Sequence, residues 1–203
     1  TAYVHQLVTS GKFYFLSRPR RFGKSLTVST LAELYSGSRE LFEGLWIADK
    51  WDWTQCHPVV RLSLAGIGFE EDGLTVSLSR ELDTLATAHG LPVVEGGLNY
   101  KFRQLLLGLA NGSGKKVVVL IDEYDAPIVS YLGKDIHMAY ANRDLLRSFY
   151  VVLKELDKHL QLVFLTGVSK FSKVGIFSGL NNLQDITMHP RYATMLGYTQ
   201  AEL

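Results

Sequence analysis

Short, largely apolar runs alternate along the chain with longer stretches in which apolar residues recur every three or four positions. Runs of the first kind predict strands at 13–17, 59–64, 117–121, 162–166 and 184–187. Stretches of the second kind predict helices over 25–35, 73–89, 100–110 and 138–159. The run Val-Val-Val-Leu-Ile at 117–121 has no polar alternation, as a central strand covered on both faces requires. Asn111-Gly112-Ser113-Gly114 reads as a turn that ends one helix before this strand, and Gly90, Gly96 and Gly97 mark a loop. Strand and helix in turn is the rhythm of crossover connections rather than of hairpins. The expected fold is α/β, a three-layer sandwich around a mainly parallel five-stranded sheet.

Composition narrows this picture. With 203 residues, 47% hydrophobic and 20% charged, the chain can bury a sizeable core, and residues 1–203 are expected to form one domain. A formal net charge of +1 supplies no global field for nucleic acid or an acidic membrane, so a nucleic-acid partner would need a local patch. Cys56 is the single cysteine, which excludes a disulfide framework and fits a reducing cytoplasm. No apolar run approaches the length of a membrane span. The chain opens on Thr1, and Thr199-Gln200-Ala201-Glu202 has the spacing of a capping box just before Leu203, so a domain truncated at its C-terminal end is expected.

The first stretch with chemistry in it is Phe13-Tyr-Phe-Leu-Ser-Arg-Pro-Arg-Arg-Phe-Gly-Lys-Ser25, a strand, a loop and a helix start. Polyphosphate needs many donors in a small space. Backbone N–H groups at a helix N-terminus supply them, with a lysine to neutralise charge and a hydroxyl to ligate Mg²⁺. Residues Pro19, Arg20, Arg21, Phe22, Gly23, Lys24, Ser25 and Leu26 are therefore the candidate nucleotide-binding segment. The usual pattern has glycine where Arg18 stands, and Gly-Lys-Ser or Gly-Lys-Thr alone arises by chance in roughly one chain in ten of this length, so context must carry the reading. Arg20 and Arg21 read equally well as phosphate contacts or as solvated loop arginines.

That context is Val117-Val-Val-Leu-Ile-Asp-Glu-Tyr-Asp125, a buried strand ending in acids, where open α/β sheets place ligand-binding groups. Asp122 is expected to hold Mg²⁺ opposite Ser25. Glu123, beside it, is expected to orient the attacking water as general base. For Asp125 the preferred reading is a helix N-cap before Pro127. Thr166, at the end of the run 162–166, is a candidate γ-phosphate sensor if its strand lies between the other two; satisfying local backbone is the competing role. Ser169 and Lys170 are weaker candidates of the same kind.

Elsewhere the chemistry is thin. Gly66-Ile67-Gly68 lacks the third glycine of a dinucleotide site, the six histidines are dispersed, and no G-x-S-x-G nucleophile motif occurs. Trp46, Trp51 and Trp53, with Phe42 and Leu45, are expected to form a satellite core against the helix that follows the phosphate loop.

At these residues the sequence resembles the AAA-ATPase-like domains of bacterial proteins, P-loop nucleoside triphosphatases that often carry a PD-(D/E)xK nuclease-like domain at their C-terminus. The likeness rests on Tyr14-Phe-Leu-Ser-Arg-Pro-Arg-Arg-Phe-Gly-Lys-Ser25, Leu120-Ile-Asp-Glu-Tyr-Asp-Ala-Pro127, Leu165-Thr-Gly-Val-Ser-Lys-Phe-Ser172, Ile176-Phe-Ser-Gly-Leu-Asn-Asn182 and Glu40-Leu-Phe-Glu-Gly-Leu45. An arginine in place of the first loop glycine is typical of the resembled family. The resemblance implies ATP and Mg²⁺ at Lys24, Ser25, Asp122 and Glu123, and an extra strand between the phosphate-loop strand and the acidic strand. No guanine-reading N/T-K-x-D string follows a late strand, which favours adenine by elimination. The expected function is an ATP-hydrolysing switch or motor module. The alternatives are a non-catalytic nucleotide-binding regulator or scaffold and, third, a small-molecule kinase using the same loop.

Overall fold

In the computed structural model, residues 1–169, 176, 177, 180 and 182–196 are described. Lys170, the capping box at 199–202 and parts of two strings that carry the resemblance lie outside them.

The chain runs α1 (Ala2–Ser10), β1 (Phe13–Ser17), α2 (Lys24–Ser36), β2 (Val59–Ser63), α3 (Phe69–Asp72), α4 (Leu74–Ala88), α5 (Leu98–Ser113), β3 (Val117–Asp122), α6 (Ala126–Val129), α7 (Ile136–Glu155), β4 (Leu160–Gly167) and β5 (Gln184–Asp185). The strands form one sheet in the order β2-β3-β4-β1-β5, with every pairing parallel. β4 therefore separates the phosphate-loop strand β1 from the acidic strand β3, as expected.

Alternation along each strand sends side chains to two cores. Phe13, Phe15, Val119, Ile121, Val163 and Leu165 face one side, where α4, α5 and α7 bring Leu78, Leu82, Phe102, Leu106, Leu146 and Phe149. Tyr14, Leu16, Val118, Leu120, Leu162 and Phe164 face the other, covered by Val4 and Leu7 of α1 and by Val28, Leu31 and Leu34 of α2. Two buried faces explain why β3 reads as unbroken apolar sequence.

Three details differ from the sequence reading. Helix α5 runs on through Asn111 and Gly112 to Ser113, and only Gly114 turns it off as a left-handed C-cap, so the turn begins three residues later than its composition suggests. The tryptophan cluster is not a satellite: Phe42, Ile47, Trp51 and Trp53 extend the α1–α2 core itself, whereas Leu45 and Trp46 are exposed. Strand β5 pairs over two residues only, at Gln184 and Asp185, before Ile186 gives its N–H to Phe15 O at 2.9 Å.

Candidate functional site

The carboxyl ends of β1, β4 and β3 lie side by side, and each hands the chain to a loop with polar residues. After β1, Gly23 takes φ +80, a left-handed conformation that glycine enters without strain, and α2 starts at Lys24. The first turn of α2 thus points free N–H groups back over the loop. Lys24 is buried, and its ammonium donates to the carbonyl oxygens of Arg18 (2.9 Å) and Pro19 (2.8 Å), folding the loop around it. Burial lowers the Lys24 pKa below its ordinary value of 10.5. Asp122, Asp125 and Glu123 oppose that shift through their charge, which places the lysine within electrostatic reach of the acidic strand end.

Ser25 and Leu26 are exposed on the first turn of α2, as are Pro19, Arg20, Arg21 and Phe22 in the loop. The Ser25 hydroxyl makes no hydrogen bond within the described residues, while Thr27 turns its own hydroxyl onto Gly23 O at 3.1 Å. Arg20 shares a cleft of 310 Å³ with Glu70, Glu71, Glu123, Asp125 and Ser130. Arg21 sits at φ +65.

Arg18, where the usual loop has its first glycine, is a stitch. Its guanidinium donates to the carbonyl oxygens of Ser17 at 3.1 Å, of Thr187, and of Tyr192 at 3.4 Å. The loop entrance is thereby tied to the chain after β5, and Ser17 N–H adds a bond to the Thr187 hydroxyl at 3.0 Å. Beside this stitch opens a hollow of 580 Å³ walled by Pro19, Phe22, Met188, Ala193 and Leu196.

On the acidic side Asp122 is 3% exposed. Its Oδ1 accepts the Thr166 hydroxyl and the Glu123 N–H (3.0 Å), and its Oδ2 takes no hydrogen bond within the described residues. Glu123 stands at φ +52. It and Arg21 are the only non-glycine residues in the left-handed region among those described, and one lies in each half of the site. Such a conformation costs of order 1–3 kcal/mol and marks places where function holds the backbone.

Asp125 departs from its expected role. It occupies the N-cap position of α6, but its side chain makes no cap bond there. The carboxylate instead accepts N–H from Val168 (3.1 Å) and Ser169 (2.6 Å), in the chain leaving β4. Asp135 shows what a true cap looks like here, accepting Met138 N–H at 3.1 Å. Burial raises the Asp125 pKa above its usual 3.8, and the Ser169 and Val168 N–H groups pull it back. Neither this target nor the stitch by Arg18 was visible in sequence order; the one signal was the missing glycine at position 18.

No group of three or more His, Cys, Asp or Glu side chains among the described residues could by itself hold a metal ion. A buried carboxylate with one free oxygen and an unengaged serine hydroxyl are, however, the sparse protein ligands that Mg²⁺ takes when phosphate and water complete its octahedron. No helix among the described residues is long and apolar enough to cross a membrane.

A family model described as AAA-ATPase-like, predicted AAA-ATPase, matches residues 1–177. Over 204 aligned residues the chain is 43% identical to a protein of Azotobacter chroococcum mcd 1 described as an uncharacterized protein in the vnfD 5′ region. The match covers 100% of this chain and 39% of that relative, so the chain spans about two fifths of the relative's length.

Proposed function

We propose, from the premise that this chain belongs to the AAA-ATPase-like family of predicted AAA-ATPases, that it binds ATP with Mg²⁺ at the strand ends and hydrolyses it. The observation that carries the reading is the convergence of three strand ends: the buried ammonium of Lys24 lies within electrostatic reach of Asp122 and Glu123, and Thr166, on the strand between, donates its hydroxyl to Asp122.

In this reading the N–H groups from Phe22 to Leu26 cradle the β-phosphate. Lys24 leaves the carbonyls of Arg18 and Pro19 to neutralise the β- and γ-oxygens. Ser25 and the free oxygen of Asp122 hold Mg²⁺, which supplies charge neutralisation at the phosphates when bound. Glu123, held in the left-handed region beside Asp122, orients a water for in-line attack on the γ-phosphorus. Thr166, buried with its hydroxyl on Asp122 Oδ1, senses the γ-phosphate through that carboxylate and reports its loss to the β4 exit. Arg20 and Arg21 reach the phosphates from the exposed loop. Adenine lies against Phe22 in the hollow toward Met188 and Leu196.

Titration of the purified chain with a fluorescent ATP analogue, with and without Mg²⁺, beside Lys24→Ala, tests the site; steady-state phosphate release tests turnover. Saturable, Mg²⁺-dependent binding that the variant loses is expected, and its absence in a folded chain would sink the reading. One observation favours a binding-only regulator instead: Lys24 already spends two of its three N–H donors on the loop's own carbonyls. Binding without phosphate release would select that alternative. The work that hydrolysis drives, through a nuclease-like domain or another partner in a longer protein, is a further part of the proposal.

A further inference from the structure

Asp122 and Asp125 are the two buried carboxylates among the described residues, and the proposed chemistry uses only the first. A buried carboxylate is costly to ionise unless donors surround it, so its placement calls for a reason. The sheet supplies one. The ladder between β3 and β4 runs as far as Ile121 opposite Leu165 and pairs no residue beyond. β4 continues to pair with β1 through Thr166 and Gly167, so the seam between β3 and β4 ends one residue short of the site.

Side chains and single backbone bonds close that seam. Tyr124 N–H donates to Thr166 O at 2.9 Å, and the Tyr124 hydroxyl donates to Ser169 O at 3.0 Å. Asp125 accepts from Val168 and Ser169. Gly167, in the middle, has no room for a Cβ, which would fall 2.5 Å from Tyr124 Cε1 and 2.6 Å from Asp125 Oδ1. From the other side, Arg18 N–H donates to Gly167 O at 3.2 Å and the Ser17 hydroxyl to Val168 O at 3.1 Å. Residues 166–169 are thus bonded both to the phosphate-loop entrance and to the acidic motif.

We propose that Asp125 is a positioning residue: its carboxylate closes the β3–β4 seam beyond the ladder and so sets where Thr166 and Glu123 stand relative to Asp122. The consequence for turnover rests on the hydrolysis reading above; the clamp itself does not. An asparagine has the size of Asp125, and its carbonyl oxygen can still accept where Oδ2 receives both N–H groups, but it loses the charge that strengthens those bonds and puts an amide donor in place of Oδ1, which Val168 N–H also faces at 3.3 Å, so Asp125→Asn loosens the clamp without creating a cavity.

The test compares wild type and Asp125→Asn by three measurements: phosphate release from Mg²⁺-ATP, binding of a fluorescent ATP analogue, and amide exchange at Val168 and Ser169. The expected result is a fall in kcat of about tenfold or more with analogue Kd within about twofold, and faster exchange at both amides. Faster exchange with unchanged kcat overturns the positioning role, and unchanged exchange overturns the clamp. If Asp125→Asn does not fold, Tyr124→Phe keeps the ring and removes the hydroxyl that donates to Ser169 O. There a kcat reduction of about threefold at unchanged Kd is expected, and a wild-type kcat overturns the proposal. A wild-type chain that binds the analogue but releases no phosphate defeats the hydrolysis reading instead, and amide exchange alone then decides the clamp.

Discussion

Thr166 gives its hydroxyl hydrogen to Asp122 Oδ1 just beyond the end of the β3–β4 ladder, whose last pair is Ile121 with Leu165. Both residues are buried, so the bond is shielded and the carboxylate has few substitutes for it. Thr166→Val keeps the shape and removes the donor. The variant is expected to lose about 1–3 kcal/mol in urea unfolding, and Thr166→Ser to lose markedly less. Equal losses in the two variants would show that the methyl group, not the hydroxyl, matters at this position.

Lys24→Ala is expected to remove measurable binding of the ATP analogue while leaving the chain folded. The ammonium is held by carbonyls that remain close to solvent-exposed Pro19 and Arg20, so water can replace it in the empty loop. Calorimetric unfolding separates loss of the site from loss of the fold.

Two substitutions at Glu123 are expected to part company. Gln keeps the left-handed backbone strain and loses the base, so nucleotide binding and stability should match wild type while phosphate release slows by about a hundredfold or more. Gly loses the base too but relieves the strain at φ +52, and is expected to unfold at higher denaturant by up to about 1 kcal/mol. A Gln variant that hydrolyses normally would remove Glu123 from the mechanism.

Gly167→Ala adds a methyl that would meet Tyr124 and Asp125 at 2.5–2.6 Å. Overpacking of this kind costs about 1–3 kcal/mol, and here the ring and carboxylate that must move are the closure of the seam. Circular-dichroism melting should show the loss.

Arg18→Gly would restore the residue that phosphate loops usually carry. It is nonetheless expected to weaken the chain by about 1–3 kcal/mol, because three carbonyl partners lose their donor, and to leave nucleotide affinity no better than wild type. Tighter binding in the variant would mean that the arginine hinders the site rather than supports it.

The strands were legible because burial on both faces leaves an unmistakable record: 117–121 has no polar residue to spare. The helices that follow β1 and precede β3 were legible from their three-and-four spacing. Helix α1 went unread because its two buried residues, Val4 and Leu7, are too few to declare a period. Helix α3, at four residues, shows no period at all. At the site, Gly23, Lys24, Asp122 and Glu123 stand out because their chemistry is local to a short string. Asp125 was misread for the opposite reason. Its position before Ala126-Pro127 fits a cap, and only the meeting of chain segments more than forty residues apart redirects its carboxylate to Val168 and Ser169.

Arg18 also changes what the edge of the sheet can do. A glycine at the loop entrance would let the phosphate loop bend on its own; an arginine bonded to Thr187 and Tyr192 makes it share every displacement of the chain beyond β5, the shortest strand. Force applied at that edge is delivered to the loop proposed to grip the phosphates. A nucleotide seated in that loop would, in turn, stiffen the edge, so the two ends of the stitch read one another's state in both directions.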